Sequence, residues 1–129
     1  FFGVGSKNDG ADTTYGGHLL GQATRAAIET VESDRNIHSL HAYFLRGGVP
    51  GEPITYSVER LRSGRSFCSR RVVAIQKNKK LLELNASFST KRVGLEFSVD
   101  IPKDFHRLPS PDSLPRYKDL MLKQNLLIK

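Results

Sequence analysis

Gly17-His18-Leu19-Leu20-Gly21-Gln22-Ala23-Thr24-Arg25-Ala26-Ala27-Ile28-Glu29-Thr30-Val31 is the stretch on which the fold turns. Leu20, Ala23, Thr24, Ala27, Ile28 and Val31 recur at three- and four-residue spacing, which predicts one helix with a single apolar stripe. Gly21, Ala23, Ala26 and Ala27 keep that helix thin. A thin helix lets another layer approach closely, as a curved sheet would.

Downstream of Val31 the period changes to two. From His38 to Arg46, Leu40, Ala42 and Phe44 alternate with His41, Tyr43 and Leu45. Gly47 to Pro53 is a strong break. Ile54 to Leu61 reads as a strand with Ile54, Tyr56 and Val58 on one face, and Ser63-Gly64 as a turn. Ser66 to Gln76 follows as a long strand with Phe67, Val73 and Ile75 in one register. Lys77 to Lys80 is a polar hairpin turn. Leu82, Leu84, Ala86 and Phe88 then alternate with Glu83, Asn85 and Ser87, the pattern of a half-buried strand. Val93 to Val99 is expected to add one more. Upstream, Phe1 to Asp12 reads as a loop leaving the end of a strand. One helix followed by four or five antiparallel strands is an α+β plan, with the helix on one face of the sheet. From Ile101 the character shifts: Pro102, Pro109, Pro111 and Pro115 suit a linker. Lys118 to Lys129 reads as a helical stub.

The chain has 129 residues, one domain's worth, with 38% apolar and 26% charged residues, which is globular. No apolar run approaches the roughly 20 residues of a membrane-spanning helix, and no stable membrane insertion is expected. Cys68 is the single cysteine, so no intrachain disulfide forms. Twenty basic against 13 acidic residues give +7, which suggests a polyanionic partner: nucleic acid, anionic membrane or a phosphorylated small molecule. The start at Phe-Phe suggests a piece of something longer.

Several residues invite a chemical reading. Gly3-Val4-Gly5-Ser6-Lys7 departs from a phosphate loop because Lys follows Ser and no helix follows. His38 and His41, three apart on a strand, are expected on opposite faces, one against the helix and one at the surface, with no metal site. Cys68 reads as a small buried hydrophobe. Arg60 to Lys80 holds eight basic residues and no acid. It is either a solvated strand face or a phosphate site in which arginine forks bind oxygens in pairs. Arg70 and Arg71 are adjacent in a strand, so one of them must face the helix or an interface, at a cost unless it is paired. Tyr15-Gly16-Gly17-His18 enters the helix. Its two glycines either leave backbone N–H groups free to hold an anion or developing oxyanion, or make room for a close crossing of the sheet.

Taken together, four collinear blocks resemble the acyl-CoA thioesterase II (TesB-like) family, which includes peroxisomal acyl-CoA thioesterases. They are Thr14 to Ala23, His38 to Arg46, Gly64 to Gln76 and Ala86-Ser87-Phe88. The resemblance covers roughly residues 1 to 115. It implies a hotdog fold, a long central helix wrapped by a curved antiparallel sheet, and a pair of such repeats per chain. Residues 1–100 are expected to be the N-terminal repeat and residues 101–129 a Pro-rich linker toward a second. The family hydrolyses fatty acyl-CoA to free acid and CoA by activating water. Its Asp, Ser or Thr, and Gln belong to the C-terminal repeat, so no catalytic residue, metal or cofactor is assigned here, and Asp12 and Gln22 are not promoted by residue type alone. The substrate-binding candidates are Gly16, Gly17, His18, Arg65, Arg70 and Arg71. The expected partners are fatty acyl-CoA, a second hotdog repeat and a further copy of the chain. The implied location is the peroxisome, with the cytoplasm second. Leu127-Ile128-Lys129 is not a peroxisomal Ser-Lys-Leu type signal. A non-catalytic acyl- or CoA-binding module is the first alternative. A nucleic-acid-binding domain, favoured only by charge and lacking interleaved surface aromatics, is the second, and no nucleic-acid partner is expected.

Overall fold

The computed structural model describes residues 1–5 and 12–123. In chain order these form strand β1 (Phe2–Val4), helix α1 (Gly16–Ile28), strands β2 (Arg35–Phe44), β3 (Pro53–Ser63), β4 (Phe67–Gln76) and β5 (Lys79–Thr90), and helix α2 (Tyr117–Lys123). All strand pairs are antiparallel, in the order β1-β3-β4-β5-β2. The chain divides into two compact units, Phe1–Val93 and Gly94–Lys129.

Within the first unit, α1 lies against β2, β3, β4 and β5. Its core face is Leu19, Ala23, Ala26 and Ala27, all buried. The sequence stripe was centred one step around the helix. Leu20 and Val31 only flank the core and Ile28 is exposed. The reason is size: three alanines let the helix settle onto the sheet, and the bulkier side chains are left on its open side. From the sheet, Ile54 and Tyr56 of β3, Cys68, Val72 and Ala74 of β4, and Leu81, Leu82, Leu84, Ala86 and Phe88 of β5 complete the core.

The β5 alternation holds in full. In β4 the buried register is Cys68, Arg70, Val72, Ala74 and Gln76, while Phe67, Val73 and Ile75 point to the other face. Gln76 is buried because its amide holds the loop between β2 and β3. Its Oε1 accepts from the Val49 N–H at 2.8 Å, and its Nε2 donates to Val49 O at 3.1 Å and Glu52 O at 3.3 Å. β4 and β5 are joined through Lys77 and Asn78, both at positive φ (47° and 60°), the two-residue hairpin turn whose twist suits the strands.

Bulges interrupt the ladders at Ile37/Ser39, Arg60/Arg62 and Ala74/Ile75. Each adds local twist, which helps the sheet curve. The first also overturns the expected opposition of His38 and His41. His38 occupies the irregular position and its ring meets Phe67 at 5.8 Å, whereas His41 meets Tyr43 at 4.7 Å. Both histidines are exposed, and neither lies against the helix.

From the last residue of the first unit into the second, Val93 to Val99 forms no strand, and Val93, Leu95, Phe97 and Val99 are exposed. Alternation supplies a face but not a ladder partner, and without one the segment stays irregular. Two short 3₁₀ turns, Lys103–Arg107 and Pro111–Ser113, precede α2. Of the loop expected over Phe1 to Asp12, Phe2–Val4 is strand and residues 6–11 lie outside the described residues, as does the end of the helical stub after Lys123.

Candidate functional site

The candidate residues separate into three places. Gly16, Gly17 and His18 open α1. Arg65 and Arg70 line a cavity near its other end, about 18 Å away for a helix of this length. Arg71 is on the opposite face of the sheet.

At the opening, Tyr15 precedes the helix and makes no side-chain cap. The N–H groups of His18 and Leu19 turn back to Tyr15 O at 3.0 and 3.3 Å. Those of Gly16 and Gly17 have no partner among the described residues, as the first N–H groups of an uncapped helix do not. A Cβ on Gly16 would lie 3.1 Å from the Phe44 ring, and one on Gly17 would lie 2.5 Å from the Tyr15 ring. Aromatic rings thus crowd the Cα side of both glycines, while their amides point to no partner among the described residues. Thr14, just before this turn, is buried with its Oγ1 unpartnered.

Beside the glycines runs a polar chain that the sequence reading did not assemble. Tyr56 Oη donates to Gln22 Oε1 at 2.6 Å, and Gln22 Nε2 donates to Val4 O at 3.2 Å. His18 Nε2 lies 2.9 Å from Val4 O and 2.8 Å from Gln22 Nε2. A carbonyl only accepts, so a protonated Nε2 serves Val4, whereas a bare Nε2 accepts from Gln22; one nitrogen cannot do both at once. The sequence clue was the four-residue spacing of His18 and Gln22 on one helix face. Burial pushes the Tyr56 hydroxyl pKa up to about 12.

At the far end, Arg70 is the adjacent arginine that faces inward, 2% exposed. Its Nε donates to Thr30 Oγ1, Nη1 to Arg62 O and Ser69 O, and Nη2 to Thr30 O and Ser63 Oγ, at 2.7 to 3.1 Å. All five N–H groups of a guanidinium are thus used inside the fold. Thr30 follows the last turn of α1, where carbonyls are unpaired and the dipole is negative, so a buried cation is compensated there. Arg71 points outward and pairs with Glu83 at 3.1 Å and Glu59 at 3.7 Å. Both acids come from neighbouring strands, so the acid-free run from Arg60 to Lys80 still finds counter-charges. Hydrogen bonds from Lys80 and then Arg71 hold the Glu83 carboxyl below its usual range. Arg65 is exposed in the β3–β4 turn; its carbonyl accepts from Arg35 Nη2 at 3.2 Å. Arg35 is the residue the sequence reading missed, and nothing in its local pattern marks it.

The acyl-CoA thioesterase N-terminal domain family model matches residues 5–89, a span that includes α1, β2, β3 and β4 and nearly all of β5. The chain belongs to the acyl-CoA thioesterase family. Acyl-coenzyme A thioesterase 8 of Mus musculus is 38% identical over 108 residues, which are 83% of this chain and 32% of that protein. Peroxisomal acyl-coenzyme A thioester hydrolase 1 of Saccharomyces cerevisiae is 39% identical over 89 residues, 69% of this chain and 24% of its own length. Among solved structures, an acyl-CoA thioesterase II, TesB2, from Mycobacterium marinum matches with a TM-score of 0.69 and 40% identity over 80% of this chain and 38% of that one. The fold is the hotdog of this thioesterase family. The chain spans about a third or less of the length of these curated relatives.

Proposed function

We propose that the protein carrying this chain hydrolyses fatty acyl-CoA to free fatty acid and CoA, with this chain as its non-catalytic N-terminal hotdog repeat. The observation that carries the reading is the family match over residues 5–89. Residues 1–100 form the repeat in this proposal, and residues 101–129 lead toward a second one. The water-activating Asp, Ser or Thr, and Gln that the TesB-like resemblance implies belong to that second repeat. This repeat contributes a wall of the substrate site. Gly16 and Gly17 offer N–H groups that have no partner among the described residues, beside His18 at the acyl end, Arg65 offers an exposed guanidinium to the CoA phosphates, and Arg70 holds the floor beneath it. Arg71 adds positive potential from the far face, reduced by Glu59 and Glu83.

The second repeat, or another copy of the chain, is proposed to cover β2. This strand ends the sheet, and its inward-register residues Leu40 and Phe44 are 43% and 55% exposed. Free edges and apolar flanks favour pairing. By analogy with the yeast relative's name, the peroxisome is the proposed location.

Thiol release from a long-chain acyl-CoA tests the reading. The protein carrying this chain should turn over, while residues 1–129 alone should associate in sedimentation and release thiol slower by several orders of magnitude. Turnover by residues 1–129 at ordinary enzyme rates would place the catalytic groups in this repeat. Absence of turnover in the whole protein with CoA binding retained would favour the non-catalytic binding module.

A further inference from the structure

A cavity of about 690 Å³ opens between the C-terminal end of α1 and the β3–β4 hairpin, with Arg35, Arg60, Arg65 and Arg70 in its wall. Two glutamates, Glu29 and Glu32, also line it, and both are engaged. Glu29 pairs with Arg25, which is not in the wall, and Glu32 with Arg35 at 3.0 Å. Neither Arg60 nor Arg65 has an ion pair among the described residues. Arg70 has only carbonyl and hydroxyl partners.

Two observations show that this arrangement is incomplete. Arg60 stands directly opposite Arg70 in the β3–β4 ladder, in the register of Val58 and Tyr56 that faces the helix. Like charges directly opposed across a ladder are destabilising, and neither arginine is ion-paired among the described residues. Separately, the Arg35 side chain is only 8% exposed, yet its Nη1 is a buried donor with no partner among the described residues. A buried N–H left unpaired costs free energy that a hydrogen-bonded anion would return.

We infer that this cavity binds a phosphate group, with Arg35 as the buried anchor and Arg60 and Arg65 as the exposed arms. Arginine forks grip tetrahedral phosphate oxygens two at a time. Arg70 offsets the Thr30 carbonyl just past the helix end and the negative end of the helix dipole, which would otherwise repel an anion there. The volume exceeds one phosphate and falls in the range of small-molecule sites, so the ligand is a phosphate ester on a larger body. The pocket stands on its own geometry; only the choice of coenzyme A as the ester rests on the thioesterase reading.

Calorimetric titration of the 129-residue chain with inorganic phosphate, coenzyme A and dephospho-coenzyme A tests it without turnover. The variants are Arg60→Gln and Arg65→Gln, both exposed, with Lys79→Gln as control and thermal melts to verify folding. Each arginine variant should weaken coenzyme A and phosphate binding by about tenfold, the loss of one charge-assisted contact, and the control should not. If dephospho-coenzyme A binds the unaltered chain as weakly as coenzyme A binds Arg60→Gln, the 3′-phosphate occupies the pocket. If the two cofactors bind alike while inorganic phosphate still depends on Arg60, the pocket is supported and another phosphate ester is its source. Absence of phosphate binding at about 10 mM, or affinities untouched by both variants, would overturn the inference.

Discussion

The two ends of α1 solve the same problem in opposite ways. Both leave backbone groups without helical partners. At Gly16 there is no side-chain cap, and two N–H groups beside His18 have no partner among the described residues. At Thr30 the chain supplies Arg70, and a whole guanidinium is consumed on carbonyls and hydroxyls. The lesson concerns counting charge. Arg70 lies in the most basic stretch of the sequence, yet its N–H groups are the least available there. Arg60 on β3 and Arg65 in the β3–β4 turn are both exposed instead.

Arg70→Ala tests the clasped end most directly. It strips buried partners from Thr30 O and Arg62 O, and the expected loss is about 3 kcal/mol in chemical denaturation. Arg70→Lys should not restore it, because one ammonium cannot span that fork of acceptors. Equal stabilities of the unaltered chain and Arg70→Ala would mean that the C-terminal end of α1 is not clasped at all.

Tyr56→Phe probes the opening end. It removes the donor to Gln22 Oε1, and about 1 kcal/mol should be lost in the same measurement. The hydroxyl pKa is raised from 10.0 to about 12, so the stability it contributes is complete below pH 10.0 and fades as pH climbs through about 12. A denaturation series across that window should fall less steeply for the phenylalanine variant.

Glu83→Gln sharpens the contrast between the inward and the outward arginine. The Glu83 carboxyl is held below its ordinary value of 4.5, so its contribution is present above 4.5 and is lost as pH drops through the lower folded value. The variant should show a shallower acid limb in stability against pH, with little change at neutrality. An identical acid limb would show that the outer pairs are solvated decoration.

Gly17→Ala should change stability by no more than about 0.5 kcal/mol, because the gain in helix propensity offsets moving the exposed Tyr15 ring. A loss of turnover in the protein carrying this chain without a loss of melting temperature would then report on the free N–H groups. Unchanged turnover would leave the glycines as packing residues.

Much of this molecule was legible one residue after another. Leu82, Leu84, Ala86 and Phe88 show their period because each alternates with a polar neighbour and all four are buried. The alanines of α1 announced close packing because only small side chains permit it. Adjacent arginines in a strand had to split between two faces, since the side-chain period there is two. Which of Arg70 and Arg71 went inward was not legible. Phe67, Val73 and Ile75 make the wrong register of β4 look like the core, and only the neighbouring helix end, with carbonyls to satisfy, draws Arg70 in. His38 and His41 likewise share exposure because a bulge broke the count, and a bulge depends on the partner strand. Arg35 gained its buried, unmet donor from a hairpin that lies thirty residues further on. Periodicity is written along one chain segment and survives reading in isolation. Burial of a charge is decided by what another segment brings to meet it, which only the folded arrangement specifies.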